Sequence, residues 1–293
     1  MASASKLSLS RKSIDHLLGL DDGEVEEWIK ETLRRAHFSP WEHSSYTWIV
    51  EGCSRVCSHQ LVRHRIASYT QQSMRYTEGV LREMALEASS LLGESCPSKP
   101  GKTQESMRSA YSCYSRVLER ASRELDAGNQ YRLAVKAYVV PESIRGEALA
   151  GYISQLLSAS SEYYRLLSHG VQREDARFII PHSVRTRIIV TMNARELVQS
   201  FLPLRMCTRA QWEIRRIAWG LWSLLMKVHP RLFKWAGPRC VYSENLQRRE
   251  PKQLVDLVSG RIEFTIEACP ELIPRIGIRA CLQSAYRDAL REI

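Results

Sequence analysis

The stretch Arg63-His64-Arg65-Ile66-Ala67-Ser68-Tyr69-Thr70-Gln71-Gln72-Ser73-Met74-Arg75-Tyr76 places three guanidiniums, an imidazole and several hydroxyls within fourteen residues. It starts where a helical pattern through Val56, Leu61 and Val62 (residues 55–65) gives way to an extended piece over 67–76. In extended chain, successive side chains point to opposite faces, so this segment can present donors to two ligands at once. Converging arginines repel one another unless anions lie between them. The stretch therefore reads either as an anion site or as an exposed basic loop.

Outward from it, Asp21, Asp22 and Glu24 precede Val25, Trp28, Ile29 and Leu33 at helical spacing, which predicts a capped amphipathic helix over 23–36. Residues 46–50, β-branched and aromatic up to Gly52, predict a short strand. Helices are predicted over 77–92, 104–127 (ending near Gly128) and 147–169, with a surface loop at 93–102, where Gly, Pro and Ser concentrate. Residues 188–191 predict a second strand, and 193–228 a helical run broken at Pro203. No repeat of fixed period occurs. Strands separated by long helices without regular alternation indicate an α+β fold, an antiparallel sheet packed with long helices.

The chain has 293 residues, 44% hydrophobic and 25% charged, which excludes disordered, collagen-like and disulfide-stapled classes. Mean hydropathy is -0.30, and no apolar run reaches the ~20 residues of a membrane span. The opening residues lack the apolar core of a secretion signal, so a cytoplasmic protein is expected. The net charge is +10, and nine lysines among 42 basic residues leave 33 arginines. Arginine binds phosphate and carboxylate with a two-pronged fork, so nucleic acid and small polyanionic ligands both fit. The eight cysteines (53, 57, 96, 113, 207, 240, 269 and 281) form no CxxC pair. They are expected to be free thiols, buried as small hydrophobes. Cys240, Cys269 and Cys281 can converge, but no metal is expected from their spacing, nor from His43, His64 and His182.

Arg63-His64-Arg65, followed after seven residues by Ser73, resembles the signature of the flavin-dependent thymidylate synthases. Three further segments agree in order: His37–His43 (HFSPWEH), Arg173–Leu197 (through NAREL) and Leu204–Arg215 (LRMCTRAQWEIR). Together they cover roughly residues 24–76 and 148–240. Leu232–Ser243 and the ACPE at Ala268–Glu271 also resemble some members.

The resemblance implies an FAD-dependent methyltransferase: reductive methylation of dUMP to dTMP, with methylenetetrahydrofolate as carbon donor and NADPH-reduced FAD as hydride source. It implies a homotetramer with active sites at subunit interfaces, and no nucleic-acid or membrane partner. By the same resemblance Ser39, Glu42, Arg63, His64, Arg65, Asn193, Arg195 and Gln199 or Ser200 bind FAD. Gln60, Arg63, Ser73, Arg75, Arg177 and Arg205 bind dUMP, with Arg205 facing the uracil and stabilising charge developing on it. His37 is the candidate on the folate side, and Arg205, His37 and Ser73 are the catalytic set. Ser73 has no adjacent base and reads as a binding hydroxyl. Asn193 also suits a helix N-cap.

The chain reads as a single domain over 1–293, with a peripheral helical insertion about 77–147 and a C-terminal extension about 241–293. It departs from the family by one extra residue between Asn193 and Arg205 and by Arg209 where some relatives have histidine near the flavin, and the family's opening strand with its flavin-binding serine is not placed. An arginine-rich nucleic-acid-binding helical protein and a flavin-binding relative without turnover are the alternatives.

Overall fold

The computed structural model describes residues 13–290. In chain order its main elements are α1 (Asp22–Arg34), β1 (Ser45–Ser54), α2 (Arg55–Leu61), β2 (Ala67–Gln71), α3 (Gly79–Leu91), α4 (Gln104–Glu124), α5 (Ala127–Ala137), α6 (Gly146–Ser168), β3 (Arg185–Asn193), α7 (Trp212–Val228), α8 (Arg239–Gln247) and α9 (Arg275–Leu290). The strands form a three-stranded antiparallel sheet in the order β1–β3–β2. The fold is α+β, as its pattern of elements predicts.

The chain divides into two compact units: Met1–Trp48, Gln60–Tyr69 and Ile189–Ile293 form the first, and Ile49–His59 and Thr70–Ile188 the second. In the first, α1 is held by a capping box in which Glu24 N donates to Asp21 Oδ1 at 2.8 Å. Phe38 and Trp41, on the 3₁₀ turn and its approach, are buried, and Trp41 Nε1 donates to Thr32 Oγ1 at 2.9 Å. This fixes the exposed edge carrying His37, Ser39 and Glu42.

Two helical expectations need correction here. Pro203 does not break the run after β3. Residues 194–196 are α-helical, Leu197–Phe201 form a π turn, and α-helix resumes over Leu202–Arg205. Pro203 lies where the α register restarts, and there its missing N–H is not needed. The true interruption is the turn at 206–211, after which Gln211 Oε1 caps α7 by accepting from Glu213 N at 3.0 Å and Ile214 N at 3.2 Å.

In the second unit the predicted helix 104–127 ends at Glu124 and a separate one, α5, follows. Gly128 reads as a stop in the sequence. It lies instead in the first turn of α5, whose cap, Asp126, accepts from Asn129 N at 3.0 Å. The helices of the 77–147 segment share a core with α6. Met84, Tyr114, Leu118 and Leu133 are fully buried in one cluster with Leu157 and Tyr164 of α6. Small residues let α4 and α6 approach closely, with Ser161 Oγ donating to Ser115 O at 2.8 Å.

The cysteine expectation also changes. Cys96 and Cys113 form a disulfide that ties the 93–102 loop to α4, and their Cα atoms lie 5.8 Å apart. The other six form no disulfide among the described residues, and Cys207, Cys240 and Cys281 are only partly buried.

β1 runs past its predicted end because Gly52 adopts φ +72°, a conformation open to glycine that lets the strand continue to Ser54. A side chain there would press on Arg185, whose Nη1 donates to Gly52 O and whose Nε donates to Val135 O. β3 alternates strictly, burying Thr186, Ile188, Val190 and Met192.

Candidate functional site

In the first unit, three segments singled out in the sequence meet at His64, which is only 4% exposed. Arg205 Nε donates to His64 Nε2 at 3.0 Å, and Arg205 Nη2 donates to Gln60 O at 3.1 Å. The other ring nitrogen, Nδ1, lies 3.2 Å from both Glu196 Oε1 and Ser200 Oγ. A guanidinium cannot accept a hydrogen bond, so His64 Nε2 is the acceptor and the ring proton sits on Nδ1, facing Glu196. Tyr69 reaches back from β2 to the carbonyls of Leu61 (2.8 Å) and His64 (2.7 Å), which closes the turn carrying Arg63 and Arg65. Burial raises the Tyr69 hydroxyl, with Glu196 adding to the effect and Arg205 opposing it, so it stays a donor.

Arg63 and Arg65 are exposed on that turn. Beside it, Asn193 caps the following helix by accepting from Glu196 N at 2.8 Å. Arg195 forms a half-exposed ion pair with Glu42, and its Nε donates to Gln199 Oε1 at 2.7 Å. Gln199 Nε2 in turn donates to Tyr242 OH at 3.3 Å. An ion pair this exposed contributes little, so Arg195 can exchange Glu42 for an incoming anion at small cost. Gln199 thus belongs with Arg195, and Ser200 with His64.

The second unit holds a separate basic cluster. Ser73 begins a tight turn in which Tyr76 N and Thr77 N both donate to Ser73 O, while Arg75 N donates to Ser73 Oγ at 3.3 Å. Arg75 is exposed and packs over Tyr76. Arg177 Nε donates to Glu174 O at 3.1 Å. Arg55, whose Nη2 donates to Gln72 O at 3.0 Å, has its guanidinium pushed down by burial and by the neighbouring charge of Arg177. Two guanidiniums that repel each other make a site an anion would stabilise. Gln71 Nε2 donates to Ser58 Oγ at 2.9 Å, bracing this edge.

Glu196, Tyr69 and Arg55 went unread in the sequence. Glu196 had a signal: Asn193 followed three residues later by an acid is a helix-start pattern. Tyr69 and Arg55 act through backbone carbonyls and leave no such trace. Burial pushes the Cys240 thiol up to about 12 and raises Cys207 too, which makes both poor nucleophiles.

Exposed arginine forks beside a buried histidine, on an α+β scaffold, suit an enzyme that binds phosphorylated ligands. The family model described as thymidylate synthase complementing protein matches residues 1–231. The flavin-dependent thymidylate synthase of Aeropyrum pernix is 56% identical over 97% of this chain and 88% of its own length. That of Sulfurisphaera tokodaii is 37% identical over 97% and 91%. A crystal structure of the Helicobacter pylori enzyme complexed with FAD and dUMP superposes with a TM-score of 0.56 at 25% identity, covering 80% of this chain and 93% of that one. The chain belongs to the flavin-dependent thymidylate synthase family.

Proposed function

We propose that this flavin-dependent thymidylate synthase converts dUMP to dTMP with methylenetetrahydrofolate and NADPH, and that its two basic clusters divide the work. The donors in the first unit fit FAD. Arg63 and Arg65 are exposed forks suited to its diphosphate, Arg195 is held only by an exposed ion pair, and Ser39, Asn193 and Gln199 supply neutral donors and acceptors. When bound, FAD supplies the hydride that completes the new methyl group.

The chain's own residues bind, orient and stabilise. Glu196 and Ser200 hold the Nδ1 proton of His64, which fixes the ring so that Nε2 receives Arg205. Arg205, anchored there and on Gln60 O, faces the uracil and stabilises negative charge developing on it. Ser73, Arg75 and Arg177 bind dUMP, mainly at its phosphate, and Gln60 and Arg63 are also assigned to dUMP. His37 stands on the folate side.

In the same reading the chain is a cytoplasmic homotetramer with active sites at subunit interfaces, and binds neither nucleic acid nor membrane. No helix among the described residues is long and apolar enough to cross a membrane. Residues 77–147 are an insertion in a single-domain family frame, and residues from about 241 a C-terminal extension, in keeping with a family match that ends at 231.

The observation that carries this reading is the meeting of three collinear motif segments at His64. Its test is anaerobic conversion of dUMP to dTMP by the purified protein, with and without added FAD. FAD-dependent product is expected; a folded, FAD-loaded protein that makes none overturns the reading. Light scattering on the same sample reads the tetramer.

A further inference from the structure

The cysteines outside the site have their own arrangement. Cys207, Cys240, Cys269 and Cys281 line one small cavity in the first unit. They arrive from four different segments: the turn after Arg205, the first turn of α8, the loop before α9, and α9 itself. The sequence pointed to three of them converging, and the fold brings in a fourth. All four are free thiols in a chain that forms a disulfide elsewhere.

We propose that these four cysteines hold an iron–sulfur cluster. Four soft thiolate donors and no carboxylate or imidazole ligand suit either zinc or an iron–sulfur centre. Zinc needs its four sulfurs about 2.3 Å from one point. Among the described residues, no three His, Cys, Asp or Glu side chains are placed to share a single metal ion. A cluster gives its iron atoms separate positions, so its cysteines stand further apart around a central void.

The void measures about 20 Å³. That is the space left outside van der Waals contact, and metal–sulfur bonds near 2.3 Å reach well inside the ~3.5–4 Å of non-bonded neighbours. The rest of the wall is aliphatic apart from Thr208, Glu271 and two arginines, Arg209 and Arg239. A cluster with four thiolates is an anion, and these guanidiniums offset its charge, Arg239 while also pairing with Glu271 at 2.9 Å. The Thr208 hydroxyl lies 3.2 Å from Cys281 Sγ, the kind of hydrogen bond that tunes such centres. The cluster would staple α9 to the remainder of the unit, a structural role independent of the dUMP reaction.

The full chain, purified without oxygen, would be assayed for iron, acid-labile sulfide and zinc, and examined by Mössbauer spectroscopy, which flavin does not perturb. Equimolar iron and sulfide at about two or four per chain is expected. Cys240→Ser and Cys281→Ser should each lower both several-fold, and ferrous iron with sulfide should reload the wild type but not these variants. A wild-type chain that neither carries iron and sulfide nor takes them up overturns the proposal, whatever the variants do. One zinc per chain in their place overturns it equally.

Discussion

Arg205 and His64 are 141 positions apart in the chain, yet Arg205 Nε donates directly to His64 Nε2 at 3.0 Å. Because the guanidinium only donates, the contact sets the histidine tautomer, and the tautomer in turn aims the arginine. The residue proposed to meet flavin and the one proposed to meet uracil are thereby parts of one hydrogen-bonded chain that ends on buried Glu196.

Replacing Arg205 with Ala should lower kcat for dTMP formation by about 10²–10³-fold, the usual cost of removing a preorganised charge-stabilising donor. Bound flavin, read by its absorbance, should be retained. Unchanged turnover would remove Arg205 from its assigned role.

Arg75→Ala and Arg177→Ala should act on binding. Each charge-assisted bond to phosphate contributes about 1.5–3 kcal/mol, so KM for dUMP should rise by roughly 10- to 100-fold, with kcat changing far less. Steady-state kinetics over a range of dUMP concentrations separates the two constants, and a loss confined to kcat would contradict the assignment.

Glu244 should govern acid stability. It is fully buried, and its carboxylate accepts from Thr265 N and Oγ1, from Ile266 N at 3.1 Å and from Arg248 Nε. Burial alone would raise its pKa, but these donors outweigh burial and hold it below the ordinary carboxylate value. The folded state therefore releases this proton more readily than the unfolded chain. The stabilisation is complete above the unfolded value, about 4.3, and is lost as pH falls through the lower folded one. Glu244→Gln should cost about 3 kcal/mol at pH 7 and flatten the acid limb of a Tm-against-pH curve. An unaltered acid limb would show that other carboxylates set it.

The Cys96–Cys113 disulfide joins residues 17 positions apart in the chain. Cys96→Ser should lower stability by about 3 kcal/mol, read from denaturant unfolding, on the loop-entropy account. An equal loss on reduction of the wild type, with no further loss on reducing the variant, would identify the bond as the cause.

The helices were legible wherever caps and apolar stripes agreed, as at Asp21 and Glu24 of α1. They were misread where one residue sends two signals. Gly128 suggests a stop but follows an aspartate cap, and Pro203 suggests a break but sits at a restart. The candidate site was legible in the charged residues of its motifs, because phosphate and carboxylate recognition restricts residue type. Glu196 and Tyr69 were not, since the partners that give them meaning, a ring 132 positions away and two backbone carbonyls, exist only after folding. The disulfide was missed for a similar reason: Cys96 is ordinary in a loop until α4 is laid beside it.

The π turn at Leu197–Phe201 has a wider meaning. The resemblance to the family implies one added residue between Asn193 and Arg205, and a π turn such as this absorbs a single added residue without ending its helix. In an uninterrupted α-helix that residue would turn everything beyond it by about 100° about the axis. The bulge works as a phase corrector: it lets the segment lengthen by one while Arg205 still points at His64.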